Sequence, residues 1–143
     1  MRILENLYQK QLLTLASTAR NLPALKNPTH SSVVNNPVCG DKVTATIEID
    51  NHIIIANTVE VRGCALCEAG AGLWLHMAAN RSLSELCLLH DQLASWLRGD
   101  ADSDRNIGID TKIYTPLTPV RAIKNRHKCV LLAFSTADKF RST

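Results

Sequence analysis

The sequence lacks several features that would point to other classes of protein. No hydrophobic run approaches the length needed to span a membrane, and residues 1–6 turn polar too soon for a signal peptide. The 16 Lys and Arg residues form no block and no stripe interleaved with aromatic residues, so the net charge of +3 does not predict nucleic-acid binding. We therefore expect a cytoplasmic protein that binds neither a membrane nor a nucleic acid.

The length and the cysteine count favour an ordinary globular domain without disulfides. The chain is 45% hydrophobic and 20% charged, has no internal repeat, and predicts one domain over residues 1–143. Its five cysteines fit poorly with a disulfide framework because their number is odd. In a reducing compartment they stay thiols, which leaves them available for metal or sulfur chemistry.

A β-hairpin is predicted near the middle of the chain. Apolar residues alternate with polar ones over 43–49, which is typical of a strand with one buried face. Turn-forming residues at 50–52 lead into a second apolar run at 53–61, so the two strands form an antiparallel pair. The segment before the hairpin, 22–38, is rich in proline and predicts a connection with a short strand at 32–34.

Helices are predicted on both sides of this hairpin. Apolar residues at helical spacing predict one helix over 3–20 and another over 66–79. Glycine in a helix interior costs about 1 kcal/mol relative to alanine. Because Gly70 and Gly72 nevertheless lie inside the second helix, we expect them to permit close packing on the sheet.

The last third of the chain predicts further helices and one loop. A capping box at 82–85 starts a helix that Gly99 stops, and residues 100–116 predict a surface loop. Pro119 opens a short helix, and the final helix runs from about 127 to 139. The order of these elements predicts an α+β fold in which several α-helices pack on one face of a small antiparallel β-sheet.

Three cysteines lie in phrases that are typical of metal-ligand loops. These phrases are NPVCGD at 36–41, GCALC at 63–67 and RHKC at 126–129. The hairpin brings Cys39, just before its first strand, next to Cys64, just after its second. With Asp41 and Cys129 they make a four-ligand set of the right count for a tetrahedral site. Thiolates are soft ligands that suit zinc, iron and iron–sulfur clusters.

Two members of this set have distinct chemical properties. Asp41 supplies a carboxylate oxygen, which is harder than a thiolate and therefore the easiest ligand to displace from a thiolate-rich site. Its departure would open a position for sulfide, iron or the cysteine of a partner. Cys129 falls in the first turn of the last helix, where the helix dipole favours thiolate over thiol.

Other chemistry-bearing residues have simpler interpretations. Cys64 and Cys67 have the spacing of redox motifs and zinc knuckles, so a dithiol redox protein is one alternative function. Cys67 itself is a substitute ligand, a resolving thiol or a helix-interior residue, and we favour the last. Cys87 is predicted to fill the core, Glu68 to complement a helix dipole, and His127 to face solvent at a helix start.

The three cysteine phrases resemble those of the IscU/NifU-type iron–sulfur cluster assembly proteins. The hexapeptide at 36–41, the Gly-Cys pair after the hairpin and the cysteine opening the last helix are the hallmarks of that family, in family order. The 65 positions between Cys64 and Cys129, and Lys128 where IscU-type scaffolds have histidine, resemble the SufU-like subgroup. The resemblance implies a SufE/IscU-like fold.

The resemblance also implies a set of ligands and partners. Cys39, Asp41, Cys64 and Cys129 would hold Zn²⁺ or a transient 2Fe–2S cluster, and Cys39, with Cys129 second, would accept persulfide sulfur. The implied partners are a cysteine desulfurase and iron–sulfur acceptor or carrier proteins. A true scaffold and a zinc-dependent sulfur acceptor both remain open, and a structural zinc-binding interaction domain is the alternative from another class.

One segment departs from the pattern of IscU-type scaffolds. Residues 117–121, LTPVR, echo the Leu-Pro-Pro-Val-Lys segment that those scaffolds present to their chaperone. Here the segment lies farther before Cys129, so the resemblance does not imply chaperone binding.

Overall fold

The computed structural model describes residues 2–37, 40–100 and 111–141. The elements follow the order α1 (Arg2–Thr18), β1 (His30–Asn36), β2 (Asp41–Asp50), β3 (Ile53–Arg62), α2 (Ala65–Ala78), α3 (Leu83–Arg98), α4 (Thr111–Tyr114), two 3-10 segments (Thr115–Ala122 and Lys124–Arg126) and α5 (His127–Arg141). They form a three-stranded antiparallel sheet with five α-helices, as the sequence predicts.

The sheet has the strand order β1-β2-β3, so the predicted hairpin forms two of its three strands. Val43, Ala45 and Ile47 on β2 are fully buried, while the residues between them are more exposed. The tight turn is made by Asn51 and His52, both with positive φ. Strand β1 is longer than the predicted 32–34, because it pairs with β2 in unbroken register from its first residue to its last.

Helix α2 packs closely against both terminal helices. A Cβ on Gly70 would collide with the main-chain carbonyl of Val130 on α5, and one on Gly72 with that of Leu15 on α1. The cost of glycine inside a helix is thus offset by the close approach of three helices, whereas the sequence predicts close packing on the sheet. In the core beneath them, Trp74 and Phe134 meet edge to face with ring centroids 5.6 Å apart.

Helix α3 begins and ends as predicted. The Ser82 hydroxyl accepts from the Glu85 backbone N–H at 3.2 Å, and the Glu85 carboxylate accepts from the Ser82 N–H at 3.3 Å. This is the reciprocal capping box. At the other end Gly99 adopts a φ of 77°, which suits glycine far better than other residues.

The prediction of a surface loop over 100–116 is wrong for the part that the structure describes. Residues 111–114 form α4 and the next eight a 3-10 segment, with Pro119 inside it rather than at its start. Tyr114 is only 2% exposed and its ring packs edge to face on Trp96 at 4.9 Å. A short 3-10 segment has no 3.6-residue period, so sequence periodicity does not reveal it. Residues 101–110 lie outside the described residues.

The final helix begins at His127, where it is predicted, and places Cys129 in its first turn. It packs against α2, α3, β1 and β2, and so closes the core over the sheet. Across residues 2–37, 40–100 and 111–141, no helix is both long and apolar enough to span a bilayer.

Candidate metal centre

Three of the four predicted ligands converge at one end of the sheet. Asp41 opens β2, Cys64 follows β3, and Cys129 lies in the first turn of α5. One ligand atom of each lies within 4.8 Å of the others. The register of the hairpin, which pairs Lys42 with Arg62, explains the first contact, and α5 supplies the third ligand from the far end of the chain.

Two of the three converging residues are buried and the third is partly exposed. Asp41 is 4% exposed and Cys129 1%, whereas Cys64 is half-buried. A carboxylate taken out of water is costly unless charge or hydrogen bonds compensate it. Two thiols and a carboxylate in this arrangement suit a cation, and the sulfur-rich donor set suits a soft or borderline metal such as zinc.

Asp41 is held in place by the start of α2. The Cys64 backbone N–H donates to Oδ1 of Asp41 at 3.3 Å, and the Cys64 Sγ lies 3.7 Å from Oδ2. Cys64 is the N-cap residue of α2, so the carboxylate sits at the positive end of that helix. The Asp41 carboxylate therefore has one backbone hydrogen bond that does not depend on a metal.

Gly63 makes room for this carboxylate. A Cβ at position 63 would lie 2.6 Å from Oδ1 of Asp41 and 2.8 Å from its Cγ, closer than such atoms approach one another. The absence of a side chain at Gly63 is thus a condition for the observed position of Asp41. This gives a physical reason for the Gly-Cys pair that the sequence analysis took only as a hallmark.

The predicted fourth ligand, Cys39, and its neighbour Val38 lie outside the described residues. Gly40, which follows them, has a φ of 76°, and its N–H donates to the Asn36 carbonyl at 2.8 Å. Only glycine adopts that backbone conformation readily. The role of Cys39 as a ligand and as the persulfide acceptor stays a prediction.

Asn36 is a site residue that sequence reasoning missed. It is 6% exposed at the end of β1, and its side-chain Nδ2 lies 3.9 Å from Sγ of Cys129. The available signal was its place as the first residue of the NPVCGD hexapeptide. The sequence separation of 93 residues hides the contact with Cys129.

Two other cysteines lie in the core. Cys67 is fully buried in α2, which agrees with the favoured interpretation of a helix-interior residue. Cys87 is 7% exposed on the inward face of α3, as predicted. Among the described residues, the cluster of potential ligands near Cys129 contains neither of these thiols.

The prediction that His127 faces solvent is wrong. Its ring is half-buried, and Nε2 lies 3.0 Å from the Val120 carbonyl oxygen and 3.2 Å from that of Arg121. A protonated Nε2 donates to both. The preceding 3-10 segment, which the sequence did not reveal in full, brings these carbonyl groups over the start of α5.

Glu68 forms an ion pair that the sequence analysis did not foresee. The Arg20 guanidinium donates to both carboxylate oxygens of Glu68, at 2.7 and 2.9 Å. This hydrogen bonding lowers the pKa of Glu68 below its ordinary value of 4.5 and raises that of Arg20. Glu68 is therefore paired with a residue in the segment just after α1 and is not free to act as a base for Cys64.

We expect Arg20→Gln to return the pKa of Glu68 toward 4.5. Because the folded-state pKa is the lower one, the pair stabilises the fold above the unfolded-state pKa and stops doing so as pH falls through the folded-state value. Carbon-13 NMR titration of the Glu68 carboxyl measures the shift. Arg98→Gln, which removes a partner of Asp100 instead, is the matched control. An identical Glu68 titration in wild type and Arg20→Gln would contradict the assignment.

Comparison with known proteins identifies the family. Residues 7–106, more than half of the chain, match the family model described as the NifU-like N terminal domain. The chain belongs to this family. The match includes Cys39, Asp41 and Cys64 but ends before Cys129. The position of Cys129 beside Asp41 and Cys64 therefore rests on the structure and not on the family model.

Full-length relatives carry names from iron–sulfur biogenesis. The chain is 22% identical over 134 residues to the "Iron-sulfur cluster assembly scaffold protein IscU" of Thermotoga maritima, covering 94% of this chain and 92% of that protein. It is 25% identical over 138 residues to the "Zinc-dependent sulfurtransferase SufU" of Bacillus subtilis, covering 95% and 90%. The predicted resemblance to the IscU/NifU family, with a SufU-like relationship, is confirmed.

Solved structures confirm the fold. A NifU-like N-terminal protein from Brucella abortus superposes with a TM-score of 0.77 at 24% identity, covering 96% of this chain and 94% of that one. A structure from Fervidobacterium islandicum, described as a scaffold protein for the SUF system, gives a TM-score of 0.70 at 20% identity, covering 89% and 90%. At these identities the likeness establishes architecture and no more.

Proposed function

We propose that this protein acts in iron–sulfur cluster assembly as a zinc-holding sulfur acceptor. In this proposal Cys39, Asp41, Cys64 and Cys129 hold the zinc, and Cys39 takes persulfide sulfur from a cysteine desulfurase. The sulfur then passes to iron–sulfur acceptor or carrier proteins. The observation that carries the proposal is the convergence of Asp41, Cys64 and Cys129 within 4.8 Å at one end of the sheet.

The donor set fits zinc. Two thiols and a carboxylate are in place, and the sequence supplies a third thiol, Cys39, between Asn36 and Gly40. Zinc bound there would keep its cysteine ligands as thiolates. Because Asp41 also accepts from the Cys64 N–H, its carboxylate keeps a partner when it is not acting as a ligand.

The sulfur transfer step uses the chain's own thiolate. Cys39 attacks the outer sulfur of the desulfurase persulfide, forming a new S–S bond. The S–S bond of the donor breaks, and the donor cysteine leaves as a thiolate with the electron pair of that bond. Cys39 is the acceptor in this proposal because it directly precedes Gly40 in the sequence, whereas Cys129 lies within α5.

Residues 117–121 favour a sulfur acceptor over an IscU-type scaffold. Leu117 and Val120 are 0% and 1% exposed, so both side chains lie in the hydrophobic core. Arg121 donates from Nε to the Trp96 carbonyl at 2.9 Å and lies 4.8 Å over the Trp96 ring. These three side chains make contacts within the protein and are therefore poorly placed to bind a chaperone.

Persulfide transfer tests the proposal directly. After incubation with a cysteine desulfurase and cysteine, we expect mass spectrometry of alkylated peptides to find persulfide mainly on Cys39, with Cys129 second. Cys39→Ala should remove most of the label, and Cys87→Ala should not. Label confined to Cys67 or Cys87 would overturn the site assignment. No label on any cysteine beside an active cognate desulfurase would favour a structural zinc-binding interaction domain.

A further inference from the structure

Asn36 contacts both segments that carry the buried ligands of the metal centre, namely β2 with Asp41 and α5 with Cys129. Its main chain, at the end of β1, pairs with Asp41 across the sheet and accepts from the Gly40 N–H at 2.8 Å. Its side-chain Nδ2 reaches Cys129 Sγ at 3.9 Å, a distance within the range of hydrogen bonds to sulfur. One residue thus contacts the hairpin that carries Asp41 and the helix that carries Cys129.

The burial of this side chain needs a reason. On β1 the inward positions are His30, Ser32, Val34 and Asn36, and Asn36 is the most buried of the four. An amide taken from water costs free energy unless it forms hydrogen bonds. An aliphatic side chain of similar size would fill the same space without that cost. The amide donor, rather than its volume, is therefore the property that distinguishes Asn36.

A donor to sulfur has a definite effect on a metal ligand. An N–H group directed at a thiolate stabilises its negative charge, limits its rotation and lowers its electron donation to a bound metal. Cys129 lies at 1% exposure, so water is a poor substitute for this donor. The same geometry would hold Cys129 in place while another ligand leaves.

We propose that Asn36 is a positioning residue that, through its side-chain amide, keeps Cys129 directed at Asp41 and Cys64 and retains it as a ligand during sulfur transfer. The inference rests on the proposed metal site and goes beyond it, since it concerns a residue that is not itself a ligand. It gives the Asn of the hexapeptide a role separate from that of the neighbouring Cys39.

Asn36→Leu tests this role because it removes the donor and keeps the number and branching of the side-chain heavy atoms. We expect zinc release to a chromophoric chelator to become about 10- to 100-fold faster, because Cys129 is no longer held in place and the loss of an outer-shell partner lowers metal affinity by a factor of that size. In the cobalt-substituted protein the thiolate-to-metal charge-transfer band should move to longer wavelength, because the sulfur becomes a better electron donor. Asn36→Gln, which keeps an amide, should recover part of both properties.

Asn35→Leu is the matched control, since it makes the same change at the adjacent exposed position. It should release zinc at the wild-type rate. Asn36→Ala provides a second donor-free variant should the leucine variant fail to fold. Wild-type release rates and spectra in both Asn36→Leu and Asn36→Ala would overturn the inference and leave the metal site intact. Failure of the wild-type protein to bind zinc or cobalt would overturn the proposed function instead.

Discussion

Alanine at Cys64 or Cys129 is expected to abolish tight zinc binding. Their sulfur atoms and a carboxylate oxygen of Asp41 lie within 4.8 Å of one another, so each substitution removes a ligand from the centre of the cluster. A site of four ligands that loses one thiolate loses much of its affinity, because zinc prefers four-coordinate, thiolate-rich sites in proteins. Metal analysis of protein purified without chelator should fall from about one zinc per chain to near zero.

Cys67→Ala and Cys87→Ala are the controls for this experiment. Both remove a buried thiol, and Cys67 lies in the same helix that Cys64 caps. Neither belongs to the cluster found among the described residues, so both variants should retain wild-type zinc. Loss of zinc in Cys67→Ala with the fold intact would show that the ligand set is wrong.

The part of this site that lies on the hairpin could be predicted from the sequence. Strict alternation over β2 fixes which face is buried, and a two-residue turn sets the pairing beside it, although a register shift between Glu48 and Ile49 displaces the rest of the ladder by one residue. Those two facts alone bring the residues before β2 next to those after β3. Helix α3 was equally predictable, because a capping box and a glycine stop signal are local chemistry.

Contacts between distant segments could not be predicted in the same way. The Arg20–Glu68 pair joins the segment after α1 to α2 across 48 positions of sequence, and no periodicity specifies which surface charges will meet. Asn36 reaches Cys129 only because β1 and α5 pack together, a tertiary relation without a local signal. Tyr114 was assigned to a loop because four residues of α-helix followed by a 3-10 segment are too short and irregular for pattern analysis.

The glycine of the Gly-Cys pair provides a test of the site that substitutes none of the proposed ligands. In Gly63→Ala the added Cβ would lie 2.6 Å from Oδ1 of Asp41, so the carboxylate must move. Gly63 does not occupy the left-handed region, and the colliding group is the end of a side chain, so the backbone can accommodate alanine. We expect zinc affinity to fall by at least about 10-fold, while the melting temperature of zinc-free protein stays close to that of wild type.

Gly70→Ala is the informative contrast, because its added Cβ meets the main-chain carbonyl of Val130 rather than a side chain. Backbone cannot rotate aside, so α2 and α5 must separate, at a cost of about 1–3 kcal/mol of folding stability. Competition with a chelator of known affinity and thermal melts of the zinc-free proteins distinguish the two effects. Gly63→Ala should change the first measurement and Gly70→Ala the second. If Gly63→Ala instead keeps wild-type zinc affinity, Asp41 is not a ligand in the position where the structure holds it, and the metal centre must be built from the thiols without it.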